Sequence, residues 1–529
     1  MSTHYIPDDY VIYNPDLLRK QGYGFSVAVK ICIVFVKYVN WSWKIFHTLP
    51  GTHVPFFNIL SCLPRTKNSE NGSSLLVHIN QAVLGLSKLF NQEKLYHLQI
   101  FIYPVVVLGK AEALEAVFNN SRLIEKPWFV KWLQIIFGTS LINSGGDLWR
   151  CRRRFLKACF RKDILNEFMP IMNEQSRILV ESLKTETRED FTKISRPMSE
   201  CTLNITKEIV CGIRGAENSY KLRGFYHAVK WGMRFFVERL MNVFLWLDFI
   251  YFSTKKGKEF QKHVKTVKDV TGSIIKERKQ KYLQKEGSIK EAKRKPLLDL
   301  LIDYHLERND FSENDVSDEL VSFMTAGQDA TAAALSWTLY MLGLYQDIQA
   351  QVHNELDLIF GDDPERYVTQ TDLNRMKYLK CVIKETLRLY PPVYLFAREL
   401  FKDINICGYQ IPRGTTCVVL PHALHRDEEV FPDSERFIPD RFSQENSQSR
   451  NSYAYVPFSV GPRKCIGQNL AMMKLMVIIS TILRNYTLES LDQRDKILPT
   501  ATITITPSKP IRIRIRERHS KVILETYEC

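Results

Sequence analysis

Within residues 22–46, its apolar N-terminal stretch, the sequence contains no uncharged run approaching the roughly 18 residues that make a convincing membrane span. It has no C-x-x-C pair, and its 11 cysteines are odd in number and scattered. That argues against a disulfide framework and fits a reducing compartment. No nucleic-acid-binding signature accompanies its basic residues. No flavin or nicotinamide fingerprint is present, so the chain is not expected to carry its own reductase. No internal repeat is evident, and low complexity is confined to short basic stretches. The first twenty residues are polar with charges of both signs, unlike a cleavable signal peptide.

What is present is core material and positive charge. The 529 residues are 45% hydrophobic and 12% aromatic. Length alone suggests about three domains, but no clear break in composition divides the chain, which leaves a single large core open. Lys and Arg outnumber Asp and Glu by 73 to 58, for a net charge of +15. Without a nucleic-acid signature, that excess points to an anionic membrane or an acidic protein partner. Residues 22–46 are apolar and aromatic but interrupted by Lys30, Lys37 and Lys44. Spaced by seven, the lysines form one stripe of a helix, opposite Phe25, Ala28, Cys32, Phe35, Val39 and Phe46. Lysines at bilayer depth would cost about 2.5–3.5 kcal/mol each. The segment therefore reads as an interfacial anchor or a poor transmembrane helix. Leu49-Pro50-Gly51 ends it.

Further along, residues 100–108 read as a buried strand. Residues 222–252 are rich in aromatics and fit either core packing or a surface that meets apolar ligands or membrane. Residues 255–296 are strongly basic and read as a solvated helix and loop. Ser312, with Asp315 three residues on, predicts a helix cap opening a long helix to Leu344. Residues 501–516 alternate apolar and polar twice, which predicts a terminal hairpin with one wet face.

Four segments bear chemistry. Trp149-Arg150-Cys151-Arg152-Arg153 is, taken alone, a basic helix end. Ala326-Gly327-Gln328-Asp329-Ala330-Thr331 is a small-residue stretch of a core helix. Glu385-Thr386-Leu387-Arg388 places an acid and a base on one helix face, and Pro391-Pro392 stops that helix. Phe458-Ser459-Val460-Gly461-Pro462-Arg463-Lys464-Cys465-Ile466-Gly467 is a Gly/Pro loop around a cysteine. A lone cysteine there would ordinarily be a buried free thiol.

Together the ten loop residues, at F-x-x-G-x-R-x-C-x-G spacing, resemble the haem-thiolate loop of the cytochromes P450. Glu385 and Arg388 with Arg441 of Pro439-Asp440-Arg441-Phe442 resemble that family's structural triad, with Asp440 where most relatives carry Glu. The Trp149/Arg153 pair and Arg398 match propionate-binding positions, and Leu49-Pro50-Gly51 matches the hinge after a microsomal anchor. Tyr453 to Gln468 and Leu424-His425-Arg426-Asp427 resemble family 4, especially its 4V branch. The implied fold is mainly α with a small β part. The implied organisation is a polar tail (1–21), an anchor and hinge (22–48) and one haem-binding globular domain (49–529).

The resemblance also implies a function. Cys465 would be the axial ligand of haem b, with Arg463, Trp149, Arg153, Arg398 and Phe458 also holding the cofactor. Gly327, Asp329 and Thr331 would lie at the oxygen site. The implied reaction is NADPH- and O2-dependent hydroxylation of an apolar, chain-like substrate, with a fatty acid at or near its ω carbon first in order. NADPH–cytochrome P450 reductase would be the partner, with cytochrome b5 a second, on the cytosolic face of the endoplasmic reticulum membrane. Two departures stand out. Ala326 lacks the Glu through which some relatives bind haem covalently. Ala330 stands where relatives have the Thr of an acid–alcohol pair. That substitution keeps open an alternative enzyme that uses hydroperoxides or rearranges oxygenated lipids, or a catalytically impaired haem- or lipid-binding protein.

Overall fold

The computed structural model describes residues 36–38, 40–42, 45, 47–52, 73–100, 103–215, 219–284, 295–361, 363, 365–500 and 502–518. The tail and most of the expected anchor lie outside these residues. Among those described, no helix is long and apolar enough to cross a membrane.

Helices dominate. Those that position the site are α1 (Ser73–Leu89), α2 (Gly146–Ala158), α3 (Met169–Glu186), α4 (Ser195–Cys211), α5 (Ser219–Leu240), α6 (Lys255–Gln284), α7 (Leu297–Glu307), α8 (Glu313–Leu344), α9 (Lys377–Leu389) and α10 (Gln468–Asn485). Besides a small hairpin of Ile404–Ile406 with Tyr409–Ile411, the strands are β1 (Leu95–Ile100), β2 (Tyr103–Leu108), β3 (Thr192–Lys193), β4 (Phe396–Glu399), β5 (Thr416–Val419), β6 (Tyr486–Ser490), β7 (Pro499–Thr500), β8 (Thr506–Pro507) and β9 (Arg512–Glu517).

The axis of the fold is α8. Ser312 and Asp315 form the expected capping box, each side chain bonding the other's backbone N–H. Thirty-two residues at 1.5 Å each span about 48 Å. From Thr331 to Gly343 every residue is buried, as befits a helix apolar on all faces. Helix α4 lies against it closely enough that a Cβ on Gly327 would meet Thr206 Cγ2 at 2.9 Å. Helix α2 is fastened to α8 by Arg152. Its guanidinium donates to Glu319 Oε1 at 2.9 Å and also pairs with Asp315. Glu319 in turn accepts the Leu141 N–H. Burial pushes the Glu319 carboxyl up to about 7 despite Arg152.

The main sheet runs β1-β2-β5-β4. The expected buried strand over 100–108 is borne out at β2, which pairs antiparallel with β1, Leu95 opposite Leu108. β1, with His97 and Gln99 among its six residues, did not stand out beside that apolar run. Arg398 on β4 lies opposite Cys417 on β5. Pro50 and Gly51 dock on β1, where the His97 N–H donates to the Pro50 carbonyl at 2.8 Å. The terminal hairpin is not formed. β9 pairs with β6 and β3, while Thr500 pairs with Thr506 in a separate clasp. The alternation correctly gave the faces, with Ile513 and Ile515 buried. It carried no information about the partner strand.

Two further buried ionic groups tie elements together. Glu385 and Arg388, at the end of α9, are both fully buried and joined by two bonds of 2.7 and 2.8 Å. Arg388 also donates to the carbonyls of His425, Ser434 and Arg436. Arg441 Nε approaches Glu385 at 3.6 Å, an ion contact longer than a hydrogen bond. This pair, which reads from sequence as an ordinary helix-surface pair, is the staple between α9 and the irregular chain ahead of the cysteine loop. The second group is Lys474 of α10, 2% exposed. Its Nζ donates to Thr206 Oγ1 of α4 at 3.1 Å and to the Gly327 carbonyl of α8 at 3.2 Å. Burial depresses its pKa to about 8.

Arg388→Met leaves the Glu385 charge buried without its main partner. It should cost about 3–5 kcal/mol in urea unfolding, whereas Arg150→Ala at an exposed pair should cost under about 1 kcal/mol. Equal, small losses would contradict the staple. For Lys474, the folded pKa of about 8 lies below the unfolded value of 10.5. Between those values the unfolded chain binds a proton that the folded one does not, so stability rises with pH there. Measured against Lys474→Met, the native protein should gain about 2–3 kcal/mol from about pH 8 to 10. A flat difference would contradict a depressed pKa.

Candidate active site

The cysteine loop lies between Val456 and α10. Its backbone turns through two left-handed residues, Ser459 (φ 59°) and Gly461 (φ 73°). A Cβ on Gly461 would come within 1.9 Å of the Phe118 carbonyl oxygen, so no other residue fits there without moving the backbone. The Ser459 N–H donates to the Val456 carbonyl at 3.0 Å, and the Cys465 N–H to that of Phe458 at 2.9 Å. Phe458 itself packs on the main core.

Cys465 lies deep in the fold, yet its side chain is accessible and so opens onto internal space rather than packed neighbours. Burial pushes the thiol up, while the Gly467 N–H and the nearby Arg153 charge pull it down. Arg153 is fixed by its bond to the Lys464 carbonyl at 2.7 Å. Both groups favour the thiolate over the thiol.

Beside the loop four cations converge: Lys126, Arg153, Arg398 and Arg463. None makes an ion pair with a described carboxylate. Arg398 is 3% exposed and lies over the Phe118 ring at 4.6 Å; one guanidinium nitrogen donates to its neighbour's carbonyl, Ala397. Arg463 stacks on Trp149 at 4.6 Å and donates to the Ser144 carbonyl, leaving its Nε buried without a partner. Burial lowers Arg398 to about 10 and Arg463 to about 9. Burial, then Arg463 and Arg398, depress Lys126 strongly. Buried cations in such a group call for an anionic ligand. Lys126 escaped the sequence reading, because a single lysine before Pro127 carries no pattern.

Across the internal space lies the middle of α8. Within this largely buried helix Ala326 is exposed, and Phe323, Asp329 and Ala330 are partly so. Spacings of three and four place Ala326, Asp329 and Ala330 along one side. Phe160 links the two walls: its ring stacks on Phe323 at 5.6 Å and lies 4.0 Å from where a Gly467 Cβ would be. The small residues thus divide their work. Ala326 leaves open space, while Gly327 admits Thr206 of the neighbouring helix.

Thr331 is not brought to Asp329. It is 5% exposed, and its hydroxyl donates back to the Gly327 carbonyl at 3.3 Å. Asp329 Oδ2 instead accepts from Thr504 Oγ1 at 2.6 Å. Sequence reading missed Thr504, which sits in the segment assigned to the hairpin.

Comparison with known proteins accords with this arrangement. The family model described as Cytochrome P450 matches residues 68–515. The chain is 38% identical over 448 residues to Cytochrome P450 4V2 of Rattus norvegicus, covering 83% of this chain and 85% of the relative. It is 37% identical over 510 residues to Cytochrome P450 4V2 of Mus musculus, covering 94% of each. It is 35% identical over 430 residues to Cytochrome P450 4c3 of Drosophila melanogaster, covering 78% and 80%. A loop cysteine open to the interior and a predominantly helical fold with a small sheet part are thus joined to similarity along most of the length, and the chain belongs to the cytochrome P450 family, as a haem-thiolate monooxygenase of the family 4, 4V-like kind.

Proposed function

We propose that this protein is an NADPH- and O2-dependent monooxygenase that hydroxylates an apolar, chain-like substrate, a fatty acid at or near its ω carbon being first in order. The observation that carries the reading is the pairing of an accessible interior cysteine with four cations that make no ion pair with a described carboxylate. The donor set fits haem b: one thiolate for iron, and cations and an indole wall for two propionates. Cys465 would be the ligand, with Arg153, Arg398, Arg463, Trp149, Lys126 and Phe458 around the cofactor. When bound, such a haem supplies oxygen activation, which thiolate ligation favours. The chain's own part is to hold the cofactor, keep the space beside α8 open and move protons through Asp329.

Ala326, Ala330, Phe323 and Ile503 offer a surface suited to hydrocarbon. The fatty-acid preference comes from the resemblance to family 4. Electrons would come from NADPH–cytochrome P450 reductase, with cytochrome b5 as a second partner. Arg150, Arg154 and Lys157 on α2, with Lys464, form an exposed basic surface near the cysteine loop, suited to an acidic partner.

We place the protein on the cytosolic face of the endoplasmic reticulum membrane, held by residues 22–48 and assisted by the segment between α5 and α6. The aromatics of 222–252 divide: Phe225, Phe235 and Tyr251 are core, while Phe244 and Phe249 are 76% and 73% exposed. In the same segment Trp246 meets Trp128 and Trp132 in tilted ring contacts, and Trp128 meets Trp132 edge-on.

With reductase and NADPH, the protein should hydroxylate lauric acid, with product approaching NADPH consumed. Turnover only with added hydroperoxide, or none, would contradict the reading. Deleting residues 1–48 should release most of the protein from microsomal membranes. Two phenylalanines, worth about 1.5–3 kcal/mol each when buried, should keep a minor, reversible fraction bound that Phe244→Asp with Phe249→Asp removes. Full retention of the double variant would contradict both anchor assignments.

A further inference from the structure

The sequence leaves Asp329 without its usual alcohol, because residue 330 is alanine and the Thr331 hydroxyl is spent on the Gly327 carbonyl. The structure supplies another. Thr504 Oγ1 lies 2.6 Å from Asp329 Oδ2, within the short range of a hydroxyl donating to a carboxylate. Both side chains are partly accessible, and Asp329 shares a helix side with Ala326 and Ala330.

The segment that carries Thr504 is held firmly. The Tyr394 N–H donates to the Ile503 carbonyl at 3.2 Å, and the Ile505 N–H to that of Pro392 at 2.7 Å. Thr504 itself bridges Val393. Trp337 of α8 donates its indole N–H to the Ile505 carbonyl at 3.2 Å, and the Thr502 hydroxyl to the Thr504 carbonyl. Both neighbours of Thr504 are therefore pinned, one to the chain after α9 and one also to the helix that bears Asp329. A side chain so fixed loses little freedom in making its bond.

We propose that Thr504 is the hydroxyl partner of Asp329, filling from the C-terminal segment the role left vacant at Ala330. It acts through Asp329 and is a positioning and relay residue. When Asp329 is protonated the bond reverses: the hydroxyl hydrogen turns toward a water in the space beside Ala330, the proton on Asp329 Oδ2 forms a new O–H bond at Thr504 Oγ1, and the bond Oγ1 already has breaks to that water. The carboxylate is left anionic and takes its next proton from solvent. One O–H bond forms and one breaks at Oγ1, and no oxidant is required. The inference rests on the monooxygenase assignment and on Asp329 as its proton-relay acid.

The test compares Thr504→Val, Thr504→Ser and Ala330→Thr, alone and with Thr504→Val, in full-length holoenzyme with reductase, NADPH and lauric acid. Thr504→Val should lower hydroxylated product per NADPH about tenfold or more, with peroxide released instead, because one relay step is lost. The lauric acid concentration for half-maximal ferric spin-state shift should stay within about twofold, since ground-state binding is untouched. Thr504→Ser should keep coupling, and Ala330→Thr should restore it to Thr504→Val. Independently of turnover, the Tm losses of Thr504→Val and Asp329→Asn should be non-additive. Unchanged coupling in Thr504→Val, equal loss in Thr504→Ser, or additive Tm losses would overturn the proposal. Native protein that leaves lauric acid untouched, while the Tm losses remain non-additive, would count against the substrate reading and support the Asp329–Thr504 pairing.

Discussion

A sulfur kept inside the protein but open on one side is the constraint on which the rest of this structure depends. An accessible interior thiol cannot be held by packing alone, since packing would close over it. The loop is held by its backbone instead. Ser459 and Gly461 turn the chain, the Phe118 carbonyl presses against Gly461, and Arg153 fixes Lys464 from the neighbouring helix. Each hold needs its own support. Arg153 depends on α2, and Arg152 fastens α2 to the acids of α8. The chain leading into the loop depends on Arg388, which gathers three carbonyls around a buried carboxylate. His425 joins the two: its carbonyl accepts from Arg388, while its Nε2 accepts the Val456 N–H at 2.9 Å, at the start of the loop.

Charge follows the same logic. The interior around the loop gathers cations at Lys126, Arg153, Arg398 and Arg463, and burial lowers the pKa of each. A protein that had to fold around this group alone would bear a large desolvation cost. A dianionic cofactor would offset it, which would link cofactor binding to stability. On the opposite wall the Asp329 carboxylate meets a hydroxyl from the C-terminal segment, Thr504.

Much of this was legible in the sequence, because it rests on short-range patterns. The cap at Ser312, the end of α9 before Pro391 and the loop around Cys465 are local rules of backbone and turn chemistry. What was not legible is long-range pairing. β9 shows its wet and dry faces in its alternation but not that β6 is its partner. Residues 100–108 show a buried strand but not that residues 95–100 are its partner. Thr504 and Asp329 are 175 residues apart, and no local pattern marks a lone threonine as the partner of a distant acid. The Glu385–Arg388 pair has the spacing of a commonplace surface bridge; the family resemblance, not the spacing, marked it as structural together with Arg441, and burial makes it a staple. Gly327 was rightly singled out as small, but the neighbour it admits is a helix.

The central claim is that Cys465 is held in place to ligate iron. Iron X-ray absorption of the purified, haem-loaded protein tests it most directly. The account predicts one sulfur in the first coordination shell beside the porphyrin nitrogens, absent in Cys465→Ser. A shell of nitrogen and oxygen alone in the fully loaded native protein would contradict it.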